Sequence, residues 1–337
     1  MSGLRTPVCE LLGCEHPVVL AGMGGVARSD LVAAVSGAGG FGFLGMVRES
    51  ANLILREARA VRAKTDRPFG ITLIPAATKP DLLREELAAC LEAKPRCVSL
   101  FWDFDPDIVE ALHSAGILVA WQVGTLEEAL AAEAGGVDLI IAQGFEAGGH
   151  VRGQTGLSAL IPQVAAQVRA PVLAAGGIVD GRGLASALML GAQGAMIGTG
   201  FLATVESFAH DYHKERIVSA RAGETLHTTV FHRNWPPGAA VRVLPNSVTR
   251  RQRGDPFGAP REVIGREGLR PIYLFSTDSP LRSMTGDFEA MALYAGQGVG
   301  RIGDIVPAAE RLASIVDEAA RLLGPQGATE SRTVIPG

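Results

Sequence analysis

The chain carries only four cysteines in 337 residues. Cys9, Cys14, Cys90 and Cys97 have neither the density of a disulfide framework nor the paired spacing of a zinc finger. Ordinary buried or half-exposed thiols in a reducing cytoplasm are expected. There is no basic excess either. Thirty-one Lys and Arg stand against 35 Asp and Glu, a net charge of −4, so nothing draws the chain to nucleic acid. Gly or charge interrupts every apolar run well short of the roughly 20 residues of a membrane span. The opening segment, residues 1–13, lacks the apolar centre of a secretory signal. Rings are scarce, with three Trp and three Tyr.

Glycine, in contrast, is plentiful. Forty-two residues make about 12% of the chain against roughly 7% usually, which implies many tight turns and close backbone approaches. With 47% hydrophobic and 20% charged residues, the chain can bury a large core and is not a disordered one.

From residue 17 to residue 200, short apolar runs alternate with amphipathic stretches. The runs are 17–23, 41–46, 69–75, 97–103, 117–123, 138–144, 171–177 and 194–200; the helices between them are 29–37, 51–64, 81–94, 106–115, 125–135, 158–168 and 180–190. Near-continuous apolar strands mark a parallel sheet covered on both faces. Eight such strands predict a (β/α)8 TIM barrel, with a doubly wound open sheet as the alternative. After Gly200 the rhythm breaks. His210–Ala222 reads as an extra helix, and residues 224–268, rich in Pro, Gly and Arg, read as an excursion forming a lid or subdomain over the barrel mouth. The expected partition is a barrel over 1–222, the excursion over 223–268, and closing helices with a tail over 269–337. Within the last part, 287–294 and 307–323 are expected as helices, and the tail from Gly324 is expected to fray.

Parallel α/β folds bind ligands at the C-terminal ends of their strands. Those ends here are Ala21-Gly22-Met23-Gly24-Gly25, Gln143 to His150, Ala175-Gly176-Gly177 and Ile197-Gly198-Thr199-Gly200. The Gly176-Gly177 and Gly198-Thr199 pairs end the seventh and eighth strands, where barrels frequently hold a phosphate on backbone N–H groups. They point to a phosphorylated ligand or cofactor. Of seven histidines, only His150 follows a glycine-rich strand end, where an imidazole could exchange protons near neutral pH. His113 is expected to be structural, His210 and His213 to share a surface-like turn, and His227 and His232 to lie in the excursion. Arg250, Arg251 and Arg253 read as a solvated loop face. The sequence contains no His-Glu-x-x-His metal motif and no Gly-x-Ser-x-Gly elbow, so no metal is expected. Gly22-Met23-Gly24-Gly25 is only a fragment of a dinucleotide fingerprint.

Together these motifs resemble the FMN-dependent nitronate monooxygenases, formerly called 2-nitropropane dioxygenases, and the related flavin enoyl-ACP reductases. The resemblance runs through residues 11–17, Ala21-Gly22-Met23, Leu31–Gly45, Gln143–His150, Ala174–Gly183, Gly191–Thr199 and the Ala290–Gln297 motif. It covers nearly the whole chain and is weakest in the excursion. The pairing of Glu-Ala-Gly-Gly-His with Ala-Gly-Gly-Ile is specific for the superfamily and less so for the reaction.

The resemblance implies FMN on the C-terminal face of the barrel. Gly176, Gly177, Met196, Ile197, Gly198 and Thr199 would surround its phosphate. Gln143, Gly148 and Gly149 would contact the flavin, with Gly22 and Met23 beneath or beside the ring. His150 would stand near the reactive edge as the catalytic residue. Two departures stand out: Thr72 replaces an Asn that bonds the flavin in many relatives, and Val151-Arg152-Gly153 delays a glycine by one residue. The implied reaction is oxidation of a nitronate with O2 to a carbonyl compound and nitrite, His150 deprotonating a nitroalkane or holding the anion. The partners would be small molecules and O2, with no nucleic acid and no membrane. An FMN enzyme that uses NAD(P)H to reduce enoyl thioesters or quinones is the alternative. A non-catalytic flavin-binding protein is a third reading, which the retained His150 disfavours.

Overall fold

A computed structural model describes residues 4–324, apart from residue 259. Its strands in chain order are β1 (Val18–Leu20), β2 (Phe41–Gly45), β3 (Phe69–Leu73), β4 (Cys97–Phe101), β5 (Leu118–Val123), β6 (Leu139–Gln143) and β7 (Gly149–Val151). They continue as β8 (Val172–Ala175), β9 (Gly194–Ile197), β10 (Leu226–Thr228), β11 (Ala240–Val243), β12 (Val263–Glu267), β13 (Arg270–Tyr273) and β14 (Met284–Gly286). Eight of them close a parallel barrel in the order β1-β2-β3-β4-β5-β6-β8-β9. This is the (β/α)8 barrel expected from the apolar runs.

Strand alternation divides the barrel's core in two. Val18 and Leu20 face the surrounding helices, whereas Val19 faces inward with Phe41, Phe43, Leu139, Ile141 and Leu173. The Pro7–Leu12 helix adds Val8, Cys9 and Leu12 to the inner cluster. Arg96, which precedes β4, donates to the Leu11 carbonyl at 2.7 Å. That helix therefore caps the N-terminal end of the barrel, leaving the opposite end for a ligand. All four cysteines are buried and free.

The chain leaves the barrel after β9 through a short helix, Thr199–Leu202, and returns as the Ala308–Leu323 helix. This last helix fills the eighth outer position, packing on Gly181–Met189 and on Ser29–Gly37. Between departure and return lie the Asp211–Val218 helix and two antiparallel three-stranded sheets, β10-β11-β7 and β13-β12-β14. A second apolar cluster unites this segment, with Leu202, Ile217, Phe231, Val243, Ile272 and Leu293 among its members. The first sheet includes β7, in which Val241 of β11 pairs with His150. The excursion is thus bonded to the strand that carries the histidine.

Residues 287–294 do not form the expected helix. Only Phe288–Ala290 makes a 3₁₀ turn. Beyond it the backbone is bonded outward: Ala292 N–H donates to Asp278 O, Leu244 N–H to Leu293 O, and Ala295 N–H to Arg242 O. Tertiary pairing overrides the helical pattern. The expectation for the tail beyond Gly324 falls outside the described residues. No helix among the described residues is long and apolar enough to cross a membrane.

Candidate active site

The C-terminal ends of the barrel strands surround a cavity of about 490 Å³. Gly22 and Met23 reach it after β1, Thr72 from β3, and Gln143 from the end of β6. Gly148, Gly149 and His150 line another part of its wall, and Gly176 and Gly177 follow β8. Met196, Gly198 and Thr199 complete this set from β9. Ile197 is not among the lining residues. Its side chain is fully buried in the layer between barrel and helices, as alternation from the inward Met196 requires.

Local geometry explains three of the glycines. Gly177 has φ +67° and follows Gly176 at φ +119°, conformations that L side chains rarely adopt. Gly22 is a close approach, because a Cβ there would collide with the Thr72 hydroxyl. That hydroxyl is buried and has no hydrogen-bond partner, an unusual state for a buried polar atom. Thr199 Oγ1 accepts the Gly296 N–H at 3.0 Å, tying the β9 loop to the returning chain.

His150 sits half-buried among rings. Trp235 stacks on it, Trp102 meets it edge-on at 6.4 Å between centroids, and Tyr294 lies at 5.9 Å. Its Nε2 is shielded from solvent and bonded to nothing in the protein. Burial, helped by the positive Arg48, holds the imidazole's pKa well below its ordinary value. It is therefore neutral at physiological pH, with a nitrogen free to take a proton.

Gln143 does something other than face a ligand with its amide. Its Nε2 donates to His150 O at 2.8 Å, and its Oε1 accepts from Arg152 N–H at 2.9 Å. Both halves of the side chain thus clamp the backbone of the histidine strand. Arg152 completes the clamp by bonding Glu128 at 2.6 Å and lying 4.8 Å above the Trp102 ring. Arg152 therefore braces the Trp102 ring beside the histidine strand.

Several lining residues had no signal strong enough to single them out. Arg48 follows β2, a strand end without a glycine cluster. Trp235 comes from the excursion, and Tyr294 from the segment expected to be helical. Its phenol donates to Thr277 O at 2.7 Å. The strand-end rule could have found Arg48 and Trp102; for Trp235, the scarcity of Trp was the only hint. The expectation for His213 is corrected. It is fully buried, not on a surface turn, and its Nε2 lies 3.1 Å from the Tyr294 carbonyl. Burial lowers its pKa to about 4, so it serves as a neutral strut behind Tyr294. Arg253 of the basic run ion-pairs with Asp287, while Arg250 and Arg251 are exposed.

The sequence model described as nitronate monooxygenase matches residues 5–318. A nitronate monooxygenase of Paraburkholderia phytofirmans is 36% identical, the match covering 93% of this chain and 95% of that protein. A Mycobacterium tuberculosis protein is 33% identical over 94% of this chain and 96% of its own length. It is named (3aS,4S,5R,7aS)-5-hydroxy-7a-methyl-1-oxo-octahydro-1H-indene-4-carboxyl-CoA dehydrogenase. Among solved structures, FabK from Thermotoga maritima superposes with a TM-score of 0.82 at 31% identity, covering 95% of this chain and 97% of its own.

Proposed function

The chain belongs to the nitronate monooxygenase family and is an oxidoreductase; from that premise we propose that it oxidises alkyl nitronates with O2 to a carbonyl compound and nitrite, using FMN. The carrying observation is the neutral, water-shielded His150 Nε2, unpartnered at the edge of a glycine-lined barrel mouth.

The residues present fit FMN. Thr72 offers a buried hydroxyl that lacks a partner, which a flavin edge would satisfy. Gly22 and Met23 line the cavity at the β1 end, and the missing Cβ of Gly22 lets its backbone pack directly against the Thr72 hydroxyl. Gly176-Gly177 and Gly198-Thr199 present backbone to the cavity, suited to a phosphate. Gln143, Gly148 and Gly149 would hold the flavin side of the histidine strand, Gln143 by fixing that strand's backbone. Bound FMN supplies the electron-accepting chemistry of the site.

This chain's own groups do the rest. For a neutral nitroalkane, His150 Nε2 would remove the acidic carbon-bound proton. For a nitronate, it would orient the anion. Trp102, Trp235 and Tyr294 exclude water from that nitrogen and narrow the space beside it.

A second reading, NAD(P)H-dependent reduction of a thioester or quinone, draws support from the FabK likeness and from the relative named for a CoA substrate. The test is to load the purified protein with FMN and offer propyl-2-nitronate in air or NAD(P)H with an enoyl thioester. Nitrite release with oxygen uptake is expected. A flavin-loaded protein that makes no nitrite but consumes NAD(P)H would replace the first reading with the second.

A further inference from the structure

We infer that Arg48 is the anion anchor of this site, holding the two oxygens of a nitronate while its carbon faces His150. The inference rests on the proposed nitronate chemistry and adds the residue that selects for charge.

The cavity's charged groups are not equivalent. Of the two arginines in its wall, Arg270 is neutralised by Glu267 and Asp278, each at 2.8 Å. Glu49, also in the wall, is paired with Arg28 at 2.8 Å. Arg48 has no such partner. Among the described residues no carboxylate lies within ion-pairing distance of it; its guanidinium donates to the Asn234 carbonyl at 2.8 Å and to Thr277 Oγ1 at 3.4 Å. A half-buried guanidinium with two neutral partners out of five N–H donors keeps both its charge and further donors for a ligand.

Its position is also built. Arg48 has φ +59°, a left-handed conformation that disfavours residues with a Cβ. The next residue's N–H is held by the fully buried Glu86, whose Oε1 accepts it at 2.9 Å. Both neutral partners of the guanidinium lead to His150. Asn234 precedes Trp235, which stacks on the imidazole, and the Thr277 carbonyl receives the hydroxyl of Tyr294, which flanks it. The Arg48 charge is felt at both rings: it adds to the burial that lowers the His150 pKa and opposes the burial that raises the Tyr294 pKa.

The chemistry fits the shape. A nitronate spreads its negative charge over two coplanar oxygens, and a planar guanidinium can meet both. Neutral His150 cannot supply that charge. A neutral nitroalkane has less need of it, so Arg48 should discriminate between the two substrate forms.

The test uses FMN-loaded protein with Arg48→Gln and Arg48→Lys. Isobutyrate, a carboxylate of the same outline as propyl-2-nitronate, is the binding probe, read by calorimetry and by competition. Charged hydrogen bonds of this kind are worth roughly 10- to 100-fold. R48Q is expected to lose about that factor in nitronate kcat/KM, mainly through KM, and in isobutyrate affinity. R48K, which keeps the charge but not the planar fork, should recover part of both. If R48K is as impaired as R48Q, Arg48 merely ties the Asn234 loop and the inference falls. It also falls if wild-type protein releases nitrite while R48Q binds isobutyrate and turns over nitronate as before. Arg48-dependent isobutyrate binding without nitrite release would keep the anion site and remove nitronate as its occupant.

Discussion

The imidazole of His150 lies against the indole of Trp235, with ring centroids 3.3 Å apart and planes inclined by 16°. The two residues come from different parts of the fold, a strand at the barrel mouth and the excursion that follows the barrel. Their contact makes the excursion part of the site. Removing the indole should let water reach the imidazole. Desolvation is the larger cause of the lowered His150 pKa, so in Trp235→Ala that pKa should rise toward the ordinary value near ~6.5. A base must be unprotonated to act, and the acidic limb of kcat/KM for a neutral nitroalkane should therefore move to higher pH. Activity would fall at pH 5.5–6, in the range about one unit below that ordinary value, more than at pH 8. An unmoved limb would assign the shielding to Trp102 and Tyr294 instead.

Gly177 offers a test of the cofactor cradle. At φ +67°, with Glu146 Cβ only 3.0 Å from any added Cβ, Gly177→Val strains the turn that presents backbone to the space assigned to phosphate. The purified variant should lose most of its FMN while keeping the circular dichroism of the barrel. Stoichiometric FMN at unchanged affinity would make Gly177 a packing residue only.

The barrel was legible because its strands are buried on both faces and read as unbroken apolar runs. Where the sequence-based ends overran, as from Leu73 to Pro75 or from Ala175 to Gly177, the extra residues include Ile74, Gly176 and Gly177, which line the cavity. The glycine turns were legible for the same reason, since they punctuate strand ends. What could not be read was pairing between distant segments. Val241 opposite His150, Asn234 against Arg48 and Tyr294 beside the imidazole all depend on how the excursion folds back. The buried Ala290–Leu293 run looked helical by composition, but its backbone is used to join other segments.

Glu86 gives a stability prediction with a definite sign. It is fully buried, and burial raises its carboxyl pKa to about 7. Between the unfolded value near ~4.3 and about 7, the folded protein holds a proton that the unfolded chain has lost. Linkage then requires the Glu86 contribution to be fully present below that window and to fade as pH rises through it. Glu86→Gln fixes the neutral form and can still accept the Glu49 N–H. The Tm of the variant minus that of wild type should therefore grow more positive from pH 5 to pH 7.5, across the window set by those two pKa values. A pH-independent difference would mean that Glu86 is ionised in the fold throughout.

The sharpest test of His150 depends on which form of substrate is offered. Nε2 is neutral, shielded and without a partner, so it suits proton removal from carbon. A nitroalkane must lose that proton before oxidation, and loss of a general base typically costs about 10²–10⁴-fold. A preformed nitronate has lost it already. His150→Asn keeps polarity and a hydrogen-bonding side chain but no basic nitrogen. It should depress nitroalkane kcat/KM by that factor and leave nitronate kcat/KM much closer to wild type, with FMN content measured in each preparation. Equal losses on both forms would show that His150 orients the anion together with Arg48 rather than moving a proton. No loss on either would put the proton transfer on another group, and Tyr294 is poorly suited to it, because burial pushes its phenol pKa upward and its hydroxyl is committed to the Thr277 carbonyl.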